Sequence, residues 1–357
     1  MIPEFEVRGA PFQRGEQIGR RFRAQIQGTL VQLSEDEEIR RRQITLSEAM
    51  RGYLEEAFPE IPEQIRGIAR GAEISDDAAF LKNTYNAVGP ALRDDLACSS
   101  VAFATSDVGP ILGKTDDGRF RPEQNRSDGL TILTIRSDEG YDVLCVNQVG
   151  TVWSECGVNE KGLCMGTNSG HPTMRGQDGR GVPQHIVPRL VLRRCANVKE
   201  GVDFLKRTPL TGKGINIVLA DAEGHAAATE NACTMHGVRE PEHGVVFSTN
   251  HYFAEEMQAE AWRWDPKFIR SRYFQNSLNR IAHLYGRFGD GERRLTFQEM
   301  KAVLMDEHNP GGLCQRPENN ESSMATNFGV ILVCREREMW LNEGPPSLDR
   351  FERYRLS

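Results

Sequence analysis

Leu96-Ala97-Cys98-Ser99-Ser100-Val101-Ala102-Phe103 decides the reading, because a helical pattern ends before it and a strand pattern begins within it. Upstream, Gln13 to Val31 is charged and amphipathic, and Leu46 to Glu56 and Ile61 to Ile74 repeat apolar residues at helical spacing. Ser75-Asp76-Asp77 then offers a helix N-cap. Downstream, short apolar runs bounded by Gly, Asp and Asn predict strands at Val101 to Ala104, Ile111 to Gly113, Leu130 to Ile135, Val143 to Val149 and Leu163 to Gly166. Helices are expected over Gln184 to Cys195 and Lys199 to Lys206, and strands over Ile215 to Ala220, Ala226 to Thr229 and Val245 to Ser248. A helical block follows over Ala254 to Trp264, Pro266 to Tyr285 and Thr296 to Met305, before strands at Phe328 to Cys334 and Met339 to Leu341. Blocks of strands and of helices, rather than strict alternation, predict an α+β layered sandwich over a doubly wound sheet.

A chain of 357 residues makes one large or two small domains. Its mean hydropathy is -0.52 and no run of eighteen apolar residues occurs, so no membrane span is expected. Glu4 and Glu6 near the start, with no apolar run after them, argue against a secretory signal and for a cytoplasmic address. Forty-four basic residues against 51 acidic ones, a net charge of -7, disfavour nucleic acid as a partner. Arg40-Arg41-Arg42 follows Glu35 to Glu38 and reads as a solvated helix face. The eight cysteines form no C-x-x-C and have no His pair at ligand spacing nearby, so neither a metal site nor a disulfide framework is expected, and no cofactor. Core packing is the bland reading of any one of them.

Gly109-Pro-Ile-Leu-Gly-Lys-Thr115 imitates a phosphate-binding loop, but only three residues separate its glycines and Asp116-Asp117 follows where an apolar helix should begin. Cys98 has a more specific context. A small residue before a cysteine at a strand start is what a chain needs if it is cut there to expose an N-terminal nucleophile. A free α-amino group, with a pKa of about 8, could then take the proton from its own thiol. Gly113 to Asp117 lies on the next strand of a hairpin, Gly157 to Leu163 is a turn between strands, Asn168 ends the strand after it, and Val246 to Tyr252 closes a strand with Asn250. Asn250 could equally cap a following helix. Asp116 to Gly129, rich in Arg, Asp and Gly, reads as a surface loop.

At these residues the sequence resembles the acyl-coenzyme A:6-aminopenicillanic acid acyltransferase family of cysteine N-terminal nucleophile (Ntn) hydrolases, relatives of the choloylglycine hydrolases. Gly9 to Gly19 resembles the family's first helix, Cys98-Ser-Ser its nucleophile segment, and Gly157-x-Asn-Glu-x-Gly-Leu163 its mid-chain turn. The resemblance implies a four-layer αββα sandwich. It also implies a cut between Ala97 and Cys98, giving an α chain from the leader (1–97) and a catalytic β chain (98–357) that stay associated as one compact unit. Cys98 would attack a small amide or acyl thioester with its own α-amino group as base, Asn250 would be the oxyanion asparagine, and Asn168 a second asparagine near the site. Asp117, nineteen residues after Cys98, would be the carboxylate that binds the amino group. Hydrolysis and acyl transfer both fit, and a homo-oligomer is left open.

The chain departs from the family pattern with Lys114-Thr115 where Arg-Asn is usual and Ala97 where Gly is more common, which leaves Asp116 and Asp117 both open as the functional carboxylate. Arg316 resembles a late family arginine. Arg119, Arg121 and Trp153 are candidates for substrate contact beside their bland readings of loop charge and packed aromatic. The rival readings are an unprocessed ligand-binding homologue and a Cys-His hydrolase using His251 or His171.

Overall fold

Amphipathic periodicity in the first ninety residues becomes a short strand and five helices. These are β1 (Glu4–Arg8), α1 (Pro11–Arg21), α2 (Arg23–Gly28), α3 (Glu37–Ala57), α4 (Glu60–Ala72) and α5 (Asp76–Val88). Asp36 caps α3 by accepting from the Glu38 and Ile39 N–H groups, and Ser75 Oγ accepts from the Ala78 N–H at the start of α5. The strands β2 (Leu96–Phe103), β3 (Ile111–Arg119), β4 (Leu130–Arg136), β5 (Val143–Gln148), β6 (Cys156–Asn159), β7 (Cys164–Ser169) and β8 (Val182–Pro183) follow. Next are α6 (Val187–Arg194), α7 (Val198–Arg207), β9 (Leu210–Thr211), β10 (Ile215–Ala220), β11 (Ala226–Ala232), β12 (Met235–Arg239) and β13 (Val245–Ser248). The chain ends with α8 (Glu255–Trp264), α9 (Arg272–Phe288), α10 (Phe297–Met305), β14 (Met324–Val333), β15 (Glu338–Glu343) and β16 (Glu352–Arg355). The computed structural model describes residues 1–88, 96–120, 129–136, 139–171, 178–264, 267–318 and 321–357.

Strands and helices occur in blocks, so the protein is of the α+β class. One sheet has the order β1-β4-β5-β6-β7-β10-β11-β12 and the other β13-β2-β3-β14-β15-β16. Alternation along β2 and β3 divides their side chains between two apolar clusters. Ala102 and Leu112 join Val146, Val158, Val218 and Val330 between the sheets, whereas Val101, Phe103 and Ile111 join Leu284 and Phe288 of α9 and Val303 of α10. On the outer face of the larger sheet, Leu133, Ile135, Met165 and Ile217 pack with Ile18, Ile65, Ile68 and Phe80 of the leader helices and Leu190 of α6.

Two expectations change. Asp116 to Arg119, taken into the expected surface loop, belong instead to strand β3, the hairpin strand expected over Gly113 to Asp117, and Lys114 in the same strand agrees with the rejection of a phosphate loop. The rest of that expected loop, 121–128, lies outside the described residues. The first residues, read only for their charge, form β1, which pairs in parallel with β4. Its single buried apolar residue, Val7, gives no alternating pattern, and pairing rather than composition makes it a strand.

The leader holds itself together by a close backbone approach. Gly15 and Gly19 on α1 face Gly67 and Gly71 on α4; a Cβ at Gly15 would lie 2.0 Å from the Gln64 carbonyl oxygen, and one at Gly67 would lie 2.1 Å from that of Phe12. No side chain can yield there, because the obstructing atoms are backbone. We expect Gly15→Ala to destabilise the protein by about 2 kcal/mol or more. Gly52→Ala in α3, where a Cβ meets nothing within 4 Å, should instead stabilise it by about 0.5–1 kcal/mol. Urea midpoints of the two variants read the difference, and equal shifts would contradict the packing account.

Candidate active site

Antiparallel pairing of β2 with β3 sets Cys98 opposite Asp116, Ala97 opposite Asp117 and Ser100 opposite Lys114. By the same alternation Cys98, Ser100, Lys114 and Asp116 face the gap between the sheets, and Ala97, Ser99 and Asp117 face the α9 side. The Cys98 thiol donates to Asp116 Oδ2 at 3.8 Å, and Lys114 Nζ lies 3.6 Å from the same oxygen. Asn327 Nδ2 donates to Asp116 Oδ1 at 2.9 Å, and Thr326 Oγ1 donates to Asp117 Oδ1 at 2.6 Å. Asn327 can do so because β14 shifts register against β3 between Thr326 and Phe328, leaving it as an extra residue.

On the α9 side the backbone of Cys98 is held at both ends. Its N–H donates to Asn250 Oδ1 at 3.2 Å, and its carbonyl accepts from Arg280 Nη1 at 2.6 Å. Arg280 Nη2 also donates to Asn250 Oδ1, at 2.7 Å, so two donors fix the orientation of that amide. Asn250 Nδ2 donates to the Ser169 carbonyl at 2.9 Å. Sequence reasoning missed Arg280. It lies on α9 in the buried stripe of Ser277, Ile281, Leu284 and Phe288, so a cation on an otherwise buried helical face was the available signal.

Charge in this enclosure is shaped by burial. Burial pushes the Cys98 thiol up to about 12, Asp116 and Asp117 add to the rise, and Lys114 and the Asp117 N–H oppose it. Burial also raises Asp117 to about 7 against the pull of Arg280 and Thr326. Burial disfavours the Lys114 ammonium, but Cys98, Asp116, Cys156 and Glu155 more than reverse this, and Lys114 stays charged.

The other expected residues are more dispersed. Asn168 accepts from Ser100 Oγ at 3.0 Å and donates to the Ser248 carbonyl at 3.2 Å, bracing β2 two residues beyond Cys98. Trp153 is in the core on the leader side of the larger sheet, stacked on His185 and donating Nε1–H to the Asn83 carbonyl at 2.9 Å. Arg119 is exposed at the end of β3, and Arg121 lies outside the described residues. Arg316 pairs through its guanidinium with Glu318 and Glu307, and it lines a cavity shared with Thr326 and Asn327. His251 is pushed down to about 3 by burial and by Arg280, and its Nδ1 lies 2.8 Å from Ser277 Oγ rather than at the thiol. The His171 carbonyl accepts from the Tyr252 hydroxyl at 2.8 Å. Among the described residues no group of three His, Cys, Asp or Glu is placed to hold a metal, and no helix is long and apolar enough to cross a membrane.

A cavity of about 780 Å³ borders the cluster. Thr326 and Asn327, which hold the two aspartates, form part of its wall with Phe120, Leu341 and Pro345.

Among the solved structures similar to the chain are the following three. A conjugated bile acid hydrolase from Clostridium perfringens shares 13% identity over 72% of this chain and 92% of its own, with a TM-score of 0.46. Penicillin V acylase from Agrobacterium tumefaciens shares 14% over 69% and 83%, with a TM-score of 0.39. The Caenorhabditis elegans ortholog of N-acylethanolamine-hydrolyzing acid amidase shares 15% over 73% and 100%, with a TM-score of 0.45. The family described as Acyl-coenzyme A:6-aminopenicillanic acid acyl-transferase matches residues 104–348, a span that begins just after Cys98 and takes in Asp116, Asp117, Asn168, Asn250 and Arg280. That match covers more than half of the sequence, and the chain belongs to this family.

Proposed function

We propose that the protein cleaves itself between Ala97 and Cys98 and then acts, through an acyl-thioester on Cys98, as an amidohydrolase or acyltransferase on a small amide. The observation that carries this reading is the clamp on Cys98: its N–H on Asn250, its carbonyl on Arg280, and its thiol turned to Asp116. A strand residue held at both backbone ends presents one peptide bond and one thiol in fixed geometry, which is what an intramolecular acyl shift needs.

In the uncut chain the thiol is protonated at neutral pH, and Asp116 is the acceptor in reach of its proton. Sulfur then adds to the Ala97 carbonyl carbon, the C–N bond breaks, and the nitrogen takes up the proton that Asp116 accepted and leaves as the α-amino group of Cys98. Water hydrolyses the Ala97 thioester and frees the sulfur. The new amine inherits the position beside Asn250 Oδ1, which orients it, and its pKa of about 8 suits it to accept the thiol proton in later turnovers. The second hydrogen of Asn250 Nδ2 is the donor for the oxyanion. Acyl-thioester then passes to water or to an amine.

Quenching the protein in acid during turnover of a p-nitroanilide should leave the acyl mass on the peptide that bears Cys98. Cys98→Ala should lower turnover by about 10³-fold or more. An acyl group on another residue, or undiminished turnover in Cys98→Ala, contradicts the reading.

Asp117 gives a pH test. Its folded pKa is raised, to about 7, above the value of about 3.9 in an unfolded chain. The folded state therefore binds the proton more tightly, and this contribution to stability is full below pH of about 4 and lost as pH rises through about 7. In a Cys98→Ala background, Asp117→Asn should gain stability relative to its parent between pH 5 and 8.5, by about 2–4 kcal/mol. A difference in urea midpoint that does not change with pH would contradict it.

A further inference from the structure

Asn327 stands where the cavity meets the Cys98 cluster, and the reaction above gives it no role. Its Nδ2–H group donates to Asp116 Oδ1 at 2.9 Å, while Asp116 Oδ2 takes the Cys98 thiol at 3.8 Å and lies 3.6 Å from Lys114 Nζ. One oxygen of the carboxylate is thus tied to the cavity wall and the other is turned to the sulfur. The torsion that rotates an aspartate carboxylate is soft, so its plane is set by the contacts its oxygens make. A thiol at 3.8 Å is a weak donor, and an ammonium is a point charge with little directional preference. The amide of Asn327 is the shortest and most directional of the three contacts, and it is the one that fixes where Oδ2 points.

Asn327 is itself held in place. Its carbonyl accepts from the Gly344 N–H at 2.8 Å, and the register shift between Thr326 and Phe328 makes it the extra residue of β14, which aims its side chain at Asp116. The Asp116 side chain is 18% exposed, so without Asn327 water would compete for Oδ1 and the carboxylate would lose its single orientation. We propose that Asn327 is a positioning residue of the reaction, holding the Asp116 carboxylate with Oδ2 toward the Cys98 sulfur so that this oxygen takes the thiol proton. The proton passes from Sγ to Oδ2, leaving a thiolate that the Lys114 charge favours and a neutral carboxyl still tied to Asn327. The thiol that burial has pushed up to about 12 gives up its proton only to a base in fixed geometry, which is why a residue that touches neither sulfur nor scissile bond matters here.

This inference rests on the self-cleavage reading, and its test separates the two. Chains made by cell-free translation start uncut, and denatured mass against time at pH 8 gives the rate of cleavage before Cys98. We expect Asn327→Leu to slow it by about tenfold or more, the loss of a hydrogen bond to a charged group. Asn327→Gln keeps the donor, has the cavity to accommodate its extra methylene, and should recover most of the rate. Asn327→Asp is the closest in size but puts a like charge beside Asp116 and should be the slowest. In an Asp116→Ala background, Asn327→Leu should cost no more than about twofold further, because its effect passes through that carboxylate. Each Asn327 variant is also made with Cys98→Ala, and urea midpoints of these uncut chains report stability alone. An undiminished effect in Asp116→Ala, Asn327→Asp as fast as the wild type, or rates that follow the urea midpoints overturns the assignment. If the wild type stays uncut, self-cleavage is removed and the rate of Cys98 alkylation by iodoacetamide, read on the peptide that bears it, takes its place. The same order of variants there sustains the positioning role, and equal rates remove it.

Discussion

A buried guanidinium that makes no ion pair among the described residues is an expensive component, and the arrangement around Cys98 depends on one. Arg280 is fully enclosed, and its donors are spent on the Cys98 carbonyl, Ser99 Oγ, Asn250 Oδ1 and Asn276 Oδ1. Burial pulls its pKa down, while Asp117 and Cys98 work to keep it charged. It joins α9, β2 and the end of β13 into one unit, and Asn276 donates on to Gln315, whose backbone N–H donates to Thr326 Oγ1, the hydroxyl that in turn donates to Asp117. Positional precision at Cys98 therefore comes from hydrogen bonds satisfied in a low-dielectric interior, where each is strong and each would be costly to leave unmade.

The same enclosure explains how one thiol could be inert and then reactive. A thiol raised to about 12 is a poor nucleophile at neutral pH, and the carboxylates beside it add to the penalty. Lys114, on the facing strand, is the standing counter-charge for any thiolate that forms. A new α-amine at the Cys98 nitrogen would add a base within the residue itself. No rearrangement of the sheets is needed, since the nitrogen already rests on Asn250. The leader need not depart either: β1 is an edge strand of the larger sheet, and Ile18, Ile65 and Ile68 pack against that sheet's residues.

The helical leader and the later strand blocks were readable because their apolar residues carry the period of the element. Ile215–Ala220 and Val245–Ser248 are read to the residue. The short strands β1, β12 and β16 were not, since Glu-Phe-Glu-Val-Arg, Met-His-Gly-Val-Arg and Glu-Arg-Tyr-Arg have few apolar residues and owe their state to a paired neighbour. In the site, Cys98, Lys114, Asp116, Asp117 and Asn250 do come together in space. Arg280 sits 182 residues from Cys98 in sequence and is bound to it only by tertiary packing, whereas Arg316, chosen from the family resemblance, pairs with Glu307 and Glu318 in the wall of the cavity. Asn327 was invisible for a different reason: a bulge is a property of two strands in register, and one strand's sequence does not contain it.

The central claim is that Cys98 becomes a chain terminus by its own chemistry. The denatured mass of the purified wild type beside that of Cys98→Ala tests it most directly. The account predicts two fragments in the wild type, split between Ala97 and Cys98, and one chain near 40.1 kDa in the variant. A single intact wild-type chain, or the same two fragments from Cys98→Ala, would contradict it.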